Sequence, residues 1–223
     1  MNIQGMLIDF DGVISRNSVL VAQQFSYDFI NSLEPIPFET FQSYFKLATC
    51  FSQEQAIALF FTSLGLDNEL PRFLKEFKSL NSHKNMTIEI DNKFLSFIDY
   101  CDKNDLKYTI FSLAEPERMQ KLGLRAVDAI YPLRDVSKAN TSAFLRVISD
   151  LDIDPGQWIY IDDNPLALRA GKRSGLHTVM MLNDVFTISD YHMYSDYIDH
   201  TVENFPEFER YITVLRTRGS HAT

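Results

Sequence analysis

The sequence predicts an α/β protein: a parallel β-sheet flanked by helices, with an all-helical insertion after the first strand. Three observations predict it. An apolar run from Met6 to Ile14 is broken only by Asp9, Asp11 and Gly12, the pattern of a buried strand running into an acidic turn. From Asn17 to about Ser82 the apolar residues fall at helical spacings, and no convincing strand interrupts them. From Ile88 onward, short apolar segments alternate with amphipathic ones, as in a parallel sheet built with right-handed crossovers.

In the first segment Asp9 and Asp11 lie two residues apart, so on extended backbone both side chains point the same way. Burying two like charges side by side is costly unless a cation or a shared proton relieves them. They therefore belong at the open carboxyl end of the strand, where open α/β sheets bind their ligands. Gly12 lets the chain turn sharply and brings bare backbone close to whatever sits there. Alone, the stretch also reads as a strand followed by an ordinary Asp-Gly turn.

The insertion spans residues 16–87, leaving 1–15 and 88–223 as the α/β core. Its apolar sets are Phe25, Phe29, Ile30, Leu33; Phe41, Tyr44, Phe45, Ala48; Ile57, Phe60, Phe61, Leu64; and Leu70, Phe73, Leu74, Phe77. Pro35, Pro37, Gly65 and Pro71 divide them into four helices. The aromatic stripes read as internal packing.

In the core, a helix over Asp91–Lys103 presents Phe94, Ile98 and Cys101, and a strand follows at Lys107–Ser112. Glu115-Pro116-Glu117 suits a helical first turn. Ala129-Ile130-Tyr131 reads as a short third strand. Asn140 caps a helix whose inward face is Phe144, Val147, Ile148 and Leu151. Trp158–Ile161 and His177–Met181 are the fourth and fifth strands. Between them Asn164-Pro165 starts a helix and Gly175 ends it. Residues 183–197 show no periodicity, Phe205–Leu215 reads as a final helix, and Arg216–Thr223 as a disordered tail.

Composition narrows the function. With 45% hydrophobic residues and 18 phenylalanines the 223-residue chain packs a globular core. Its net charge of −9 argues against nonspecific nucleic-acid binding, and no apolar run reaches membrane-spanning length. Cys50 and Cys101 have no metal-ligand spacing, which fits free thiols in the cytoplasm.

Each well-formed strand ends in a residue suited to phosphate chemistry. The first ends in Asp9 and Asp11, the second in Ser112 and the fourth in Asp162-Asp163. Lys138 follows the third. In a parallel sheet these loops share one edge. Several carboxylates around one point suit Mg²⁺, while a hydroxyl and an ammonium supply donors for phosphoryl oxygens. A carboxylate beside a metal and a lysine can attack phosphorus, and a neighbouring carboxylate can carry the proton. Each residue also has a plainer account. Ser112 can cap a helix, Lys138 can be a solvated lysine, and the paired aspartates can favour the positive end of the helix at Pro165. Their order on successive strand ends makes those separate accounts less economical.

Asp9-Phe10-Asp11-Gly12-Val13, Ser112, Lys138 and Asp162-Asp163, together with the helical insertion, resemble the haloacid dehalogenase superfamily of aspartate-nucleophile phosphatases and phosphotransferases. The resemblance covers Met1 to about Met181. It implies a Rossmann-like core, a type-one helical cap and Mg²⁺ as cofactor. It implies Asp9 as nucleophile and magnesium ligand, and Asp11 as general acid/base that also offers its backbone carbonyl to the metal. Ser112 and Lys138, with Gly12, would hold the phosphoryl group. Asp163 would ligate magnesium, with Asp162 a direct or water-mediated second ligand. An aspartate at position 11 favours phosphoryl transfer over carbon–halogen cleavage. Leu113 and Ala139 depart from the family pattern, where a small or amide residue and a proline are frequent.

The activity so implied is hydrolysis of a small phosphorylated metabolite, with a phosphomutase, or a catalytically idle relative that binds a phosphorylated ligand or a partner protein, as alternatives. A receiver domain fits less well, because its phosphorylated aspartate follows a later strand. The cap would hinge near Arg16–Ser18 and Asn81–Thr87, with Arg16, Tyr44 and Lys46 as candidate substrate contacts. His177, His192 and His200 read as packing or surface residues. A monomer and a homodimer are both compatible with the sequence.

Overall fold

The computed structural model describes residues 2–49, 53–124, 129–133 and 136–220. Strand β1 (Gly5–Ile8) is followed by helices α1 (Ser18–Leu33), α2 (Phe38–Ala48), α3 (Gln53–Ser63) and α4 (Leu70–Lys78), and by a hairpin of β2 (Ser82–His83) and β3 (Met86–Thr87). Then come α5 (Asn92–Lys103), β4 (Lys107–Ser112), α6 (Pro116–Lys121), β5 (Ile130–Pro132) and α7 (Thr141–Asp150). The chain continues through β6 (Trp158–Asp162), α8 (Pro165–Arg173), β7 (His177–Met181), α9 (Ile188–Tyr194), β8 (His200–Val202) and α10 (Phe205–Ser220). The main sheet has the order β5-β4-β1-β6-β7-β8, and every pairing in it is parallel.

Strand β1 is apolar throughout because helices cover both of its faces. Met6 and Ile8 pack on one side with Phe94, Phe97, Ile110 and Phe208. Leu7 packs on the other with Phe111, Phe144, Tyr160 and Leu168. Its place between β4 and β6, with Ile8 opposite both Ile110 and Ile161, puts the end of β1 at the middle of the sheet's carboxyl edge.

The insertion has an apolar cluster of its own, formed by Phe29, Ile30, Ile36, Phe41, Phe60, Phe61 and Phe73. Phe29 and Phe73 meet edge to face with centroids 5.2 Å apart, the arrangement that aromatic quadrupoles favour. The aromatic stripes are therefore packing. Its two connections run side by side: Asn17 donates to the Thr87 carbonyl at 2.5 Å and accepts from the Glu89 N–H at 3.3 Å.

The structure corrects the sequence reading in several places. Residues 82–87 form a hairpin whose turn residues Lys84 and Asn85 have positive φ. The segment 183–197 contains α9, which starts with a capping box between Thr187 and Asp190. A sixth strand, β8, pairs with β7. The last helix runs on to Ser220 instead of ending at Leu215, and residues 221–223 lie outside the described set. Strand β5 begins at Ile130, and Leu151, expected on an inward face, is exposed. Cys101 is buried and free, whereas Cys50 lies outside the described residues. Among the described residues no helix is long and apolar enough to cross a membrane.

Candidate active site

Strand β1 stops being regular at Asp9, whose N–H still donates to the Ile161 carbonyl at 3.0 Å. The chain then bends back on itself. Ser15 N–H reaches the Phe10 carbonyl at 2.8 Å and Gly12 N–H the Ser15 carbonyl at 2.9 Å, with Phe10 fully buried as the anchor. Gly12 adopts φ +82°, a region that glycine enters freely. It is also hemmed in: a Cβ there would lie 1.9 Å from Asp163 Oδ2. Only a residue without a side chain allows the two acidic loops to approach this closely.

Three other strand ends converge on Asp9. Lys138, in the turn before α7, is buried and forms ion pairs with Asp9 Oδ1 and, at 2.9 Å, with Asp162 Oδ2. Asp162 ends β6 and also accepts from the Tyr160 hydroxyl and, at 2.8 Å, from Asn164 N–H. Asp163 follows it, buried, and accepts from Asn183 Nδ2 at 2.8 Å. Carboxylate oxygens of Asp9, Asp162 and Asp163 all lie within 4.8 Å of one another. Ser112 is buried at the end of β4, and its hydroxyl accepts from Ala114 N–H at 3.0 Å. Asp11 stands apart from the acidic cluster: its Oδ2 accepts from Arg118 Nη1 at 2.7 Å.

The electrostatics follow from burial. Burial pushes the Asp9 carboxyl up to about 8, and the charge of Asp162 adds to the effect while Lys138 opposes it. Burial likewise raises Asp163 well above the usual carboxylate range, reinforced by Asp162 and Asp9. For Lys138, burial would lower the ammonium, but Asp162 and Asp9 outweigh it and keep the group charged. Asp11 is only partly buried, and although burial would raise it, Arg118, with smaller contributions from Ser18 and Lys138, holds it below the ordinary value.

These residues fit a divalent cation. Three buried carboxylates share one lysine as counter-charge, and clustered carboxylate oxygens are the donors that hard cations take. Among the described residues Asp163 accepts a hydrogen bond on Oδ2, from Asn183, whereas both oxygens of Asp162 accept hydrogen bonds.

Thus Asp9, Lys138, Asp162 and Asp163 come together, with Gly12 against Asp163. Ser112 stands at the adjacent strand end, and Asp11 faces Arg118. Of the candidate substrate contacts, Arg16 is tied to the core, donating to the Leu182 carbonyl at 2.9 Å and the Glu203 carbonyl at 2.5 Å. Lys46 is paired with Asp190 at 2.8 Å. Tyr44 is half exposed and packs on Phe60 at 4.8 Å. Sequence reasoning missed Arg118, Asn183 and Tyr160. Each looks ordinary in its own segment, and only the fold brings them to the acidic loops.

The family model described as haloacid dehalogenase-like hydrolase matches residues 6–181. A β-phosphoglucomutase from Clostridium difficile superposes with a TM-score of 0.70 at 14% identity, covering 99% of this chain and 100% of that one. A hydrolase from Pseudomonas syringae gives 0.69 at 16% identity, over 90% and 94% of the two chains. CbbY from Rhodobacter sphaeroides, solved in complex with phosphate, gives 0.67 at 16% identity over 91% and 95%. No curated protein matches the sequence. With the match spanning most of the chain and the acidic strand ends assembled as described, the chain belongs to the haloacid dehalogenase-like hydrolases.

Proposed function

We propose that the chain is a magnesium-dependent phosphatase that hydrolyses a small phosphorylated metabolite through a phosphoaspartate on Asp9. The observation that carries this reading is Lys138, buried and ion-paired with Asp9 and Asp162 at once beside Asp163. In this reading the nucleophile, its counter-charge and the metal-ligand set share one strand edge.

In this reading Asp9 and Asp163 would hold Mg²⁺, joined by the Asp11 backbone carbonyl, with Asp162 as a direct or water-mediated second ligand. The cation, when present, screens the charges of the attacking carboxylate and the phosphoryl oxygens. An Asp9 carboxylate oxygen bonds to phosphorus as the ester oxygen departs, and Asp11, reacting in the form that carries a proton on Oδ1, delivers it to the departing oxygen. Asp11 then takes a proton from water, which attacks phosphorus and frees Asp9 and inorganic phosphate. Lys138, Ser112 and the backbone at Gly12 hold the phosphoryl oxygens throughout. Residues 16–87 act as a cap over the core of 1–15 and 88–223 and keep stray water out. The buried free Cys101 suits the cytoplasm.

The test is phosphate release from a panel of phosphorylated metabolites, with Mg²⁺, without it, and with Asp9→Asn. Turnover that needs Mg²⁺ and is absent from the variant supports the reading; release that survives Asp9→Asn overturns it. A phosphomutase would use the same core residues, and β-phosphoglucomutase is the activity printed for the Clostridium difficile protein of the same fold. Conversion of a sugar phosphate to its isomer without net phosphate release would favour that second reading.

A further inference from the structure

We infer that Arg118 is the positioning residue for Asp11, holding one carboxylate oxygen so that the other faces the leaving group. The inference rests on the phosphatase reading above, which makes Asp11 the proton carrier. Four observations support it. Arg118 lies 107 residues from Asp11 in sequence, yet its Nη1 meets Asp11 Oδ2 at 2.7 Å, with both side chains less than a third exposed. The guanidinium also lies 5.8 Å from the Phe10 ring centroid, so the residue beside Asp11 gives it a second surface. Asp11 Oδ1 is buried without a hydrogen-bond partner among the described residues. The Ser18 hydroxyl is near enough to help hold Asp11 charged, yet its own proton goes to the Ser15 carbonyl at 2.7 Å.

A buried carboxylate oxygen without a donor is costly, and such atoms are retained where a ligand completes them. Here the free oxygen belongs to the residue that must meet the ester oxygen of the substrate. Loop geometry explains how Arg118 gets there. Ser112 turns the chain after β4 by accepting from Ala114 N–H, and Pro116 starts α6. Met119, fully buried, fixes the rotation of that short helix, which leaves Arg118 at the rim beside Asp11. Arg118 touches no reacting atom. It acts through the carboxylate.

This role has a signature that a merely structural residue lacks. A misplaced proton donor matters most when the leaving group is poor and least when it departs unaided. The experiment measures kcat/KM for wild type, Arg118→Met and Arg118→Lys on 4-nitrophenyl phosphate and phenyl phosphate with Mg²⁺. Arg118→Met is expected to lose about tenfold or more on phenyl phosphate and less than about threefold on 4-nitrophenyl phosphate, a fraction of the usual worth of a general acid. Arg118→Lys should recover part of the phenyl phosphate loss. In an Asp11→Asn background, Arg118→Met should change little further, because coupled residues are not additive. An equal loss on both esters, or full additivity with Asp11→Asn, would overturn the assignment while leaving the phosphatase reading in place. Absence of Asp9-dependent turnover in wild type would remove that reading, and this one with it.

Discussion

Asn164, the residue after the paired acids, holds the helical insertion against the carboxyl edge of the sheet through Thr49. Its amide donates to the Thr49 hydroxyl at 2.6 Å and to the Lys46 carbonyl at 3.0 Å, while its Oδ1 caps α8. Lys46 then reaches both oxygens of Asp190 at 2.8 and 2.9 Å. The end of α2 is thereby fastened to the loop that carries Asp163.

Lys46→Met is expected to loosen this closure. An ion pair of this partly exposed kind is worth about 1 kcal/mol, so kcat/KM should fall about fivefold. Hydrogen exchange in α2 should rise while the sheet stays protected. Unchanged exchange in α2 would show that Asn164 alone is enough to hold the helix.

Gly12→Ala is expected to damage the site twice. Positive φ costs a residue with a side chain about 1–2 kcal/mol, and the new methyl meets Asp163 Oδ2 at 1.9 Å. The thermal midpoint should drop by about 2–8 °C for a chain of this size, and any stabilisation by Mg²⁺ should disappear. A variant that keeps both properties would show that the turn relaxes.

Mg²⁺ itself is expected to stabilise the fold, because a cation that binds only the native state at one hundred times its Kd adds about 2.7 kcal/mol. The midpoint should rise with added Mg²⁺, return on chelation, and stay flat in Asp163→Asn. A rise of equal size in that variant would place the cation elsewhere.

The sheet's opposite end predicts a pH dependence. His177 is held below its ordinary value chiefly by burial, with Lys172 and His200 adding and Asp199 opposing. It bonds the Tyr211 hydroxyl at 2.7 Å. Its folded-state value is lower than its unfolded one, so the unfolded chain takes up the proton first as pH falls. Stability is then complete above about pH 6.5 and is lost progressively below it. Urea midpoints at pH 7.5 and 5.5 should differ for wild type and differ less for His177→Gln. Equal pH sensitivity in both proteins would contradict the assignment.

How much the sequence discloses depends on how local each signal is. Asp9, Asp11 and Gly12 were legible because a period-two pair and a glycine break an apolar run within a few residues. Lys138 and Asp162-Asp163 were legible by their place after strands. Helices α1–α4 declared themselves through phenylalanines at helical spacing. Strand β8 has three residues and helix α9 seven, too short for periodicity to register. The continuation of α10 to Ser220 was hidden by a polar end without an apolar stripe. Arg118 and Asn183 have no local signal, since an arginine on a short polar helix and an asparagine after a strand are ordinary. Their partners are 107 and 20 residues away, and only the fold pairs them.

Attack of Asp9 on phosphorus leaves an acyl phosphate, and trapping that species tests the attack itself. Protein quenched during turnover of 4-nitrophenyl phosphate with Mg²⁺ would be reduced with tritiated borohydride, which converts a phosphorylated aspartate to labelled homoserine. Label is expected at position 9 alone, and none in Asp9→Asn or without Mg²⁺. Label at another aspartate, or turnover with no trapped species at any quench time, would contradict it.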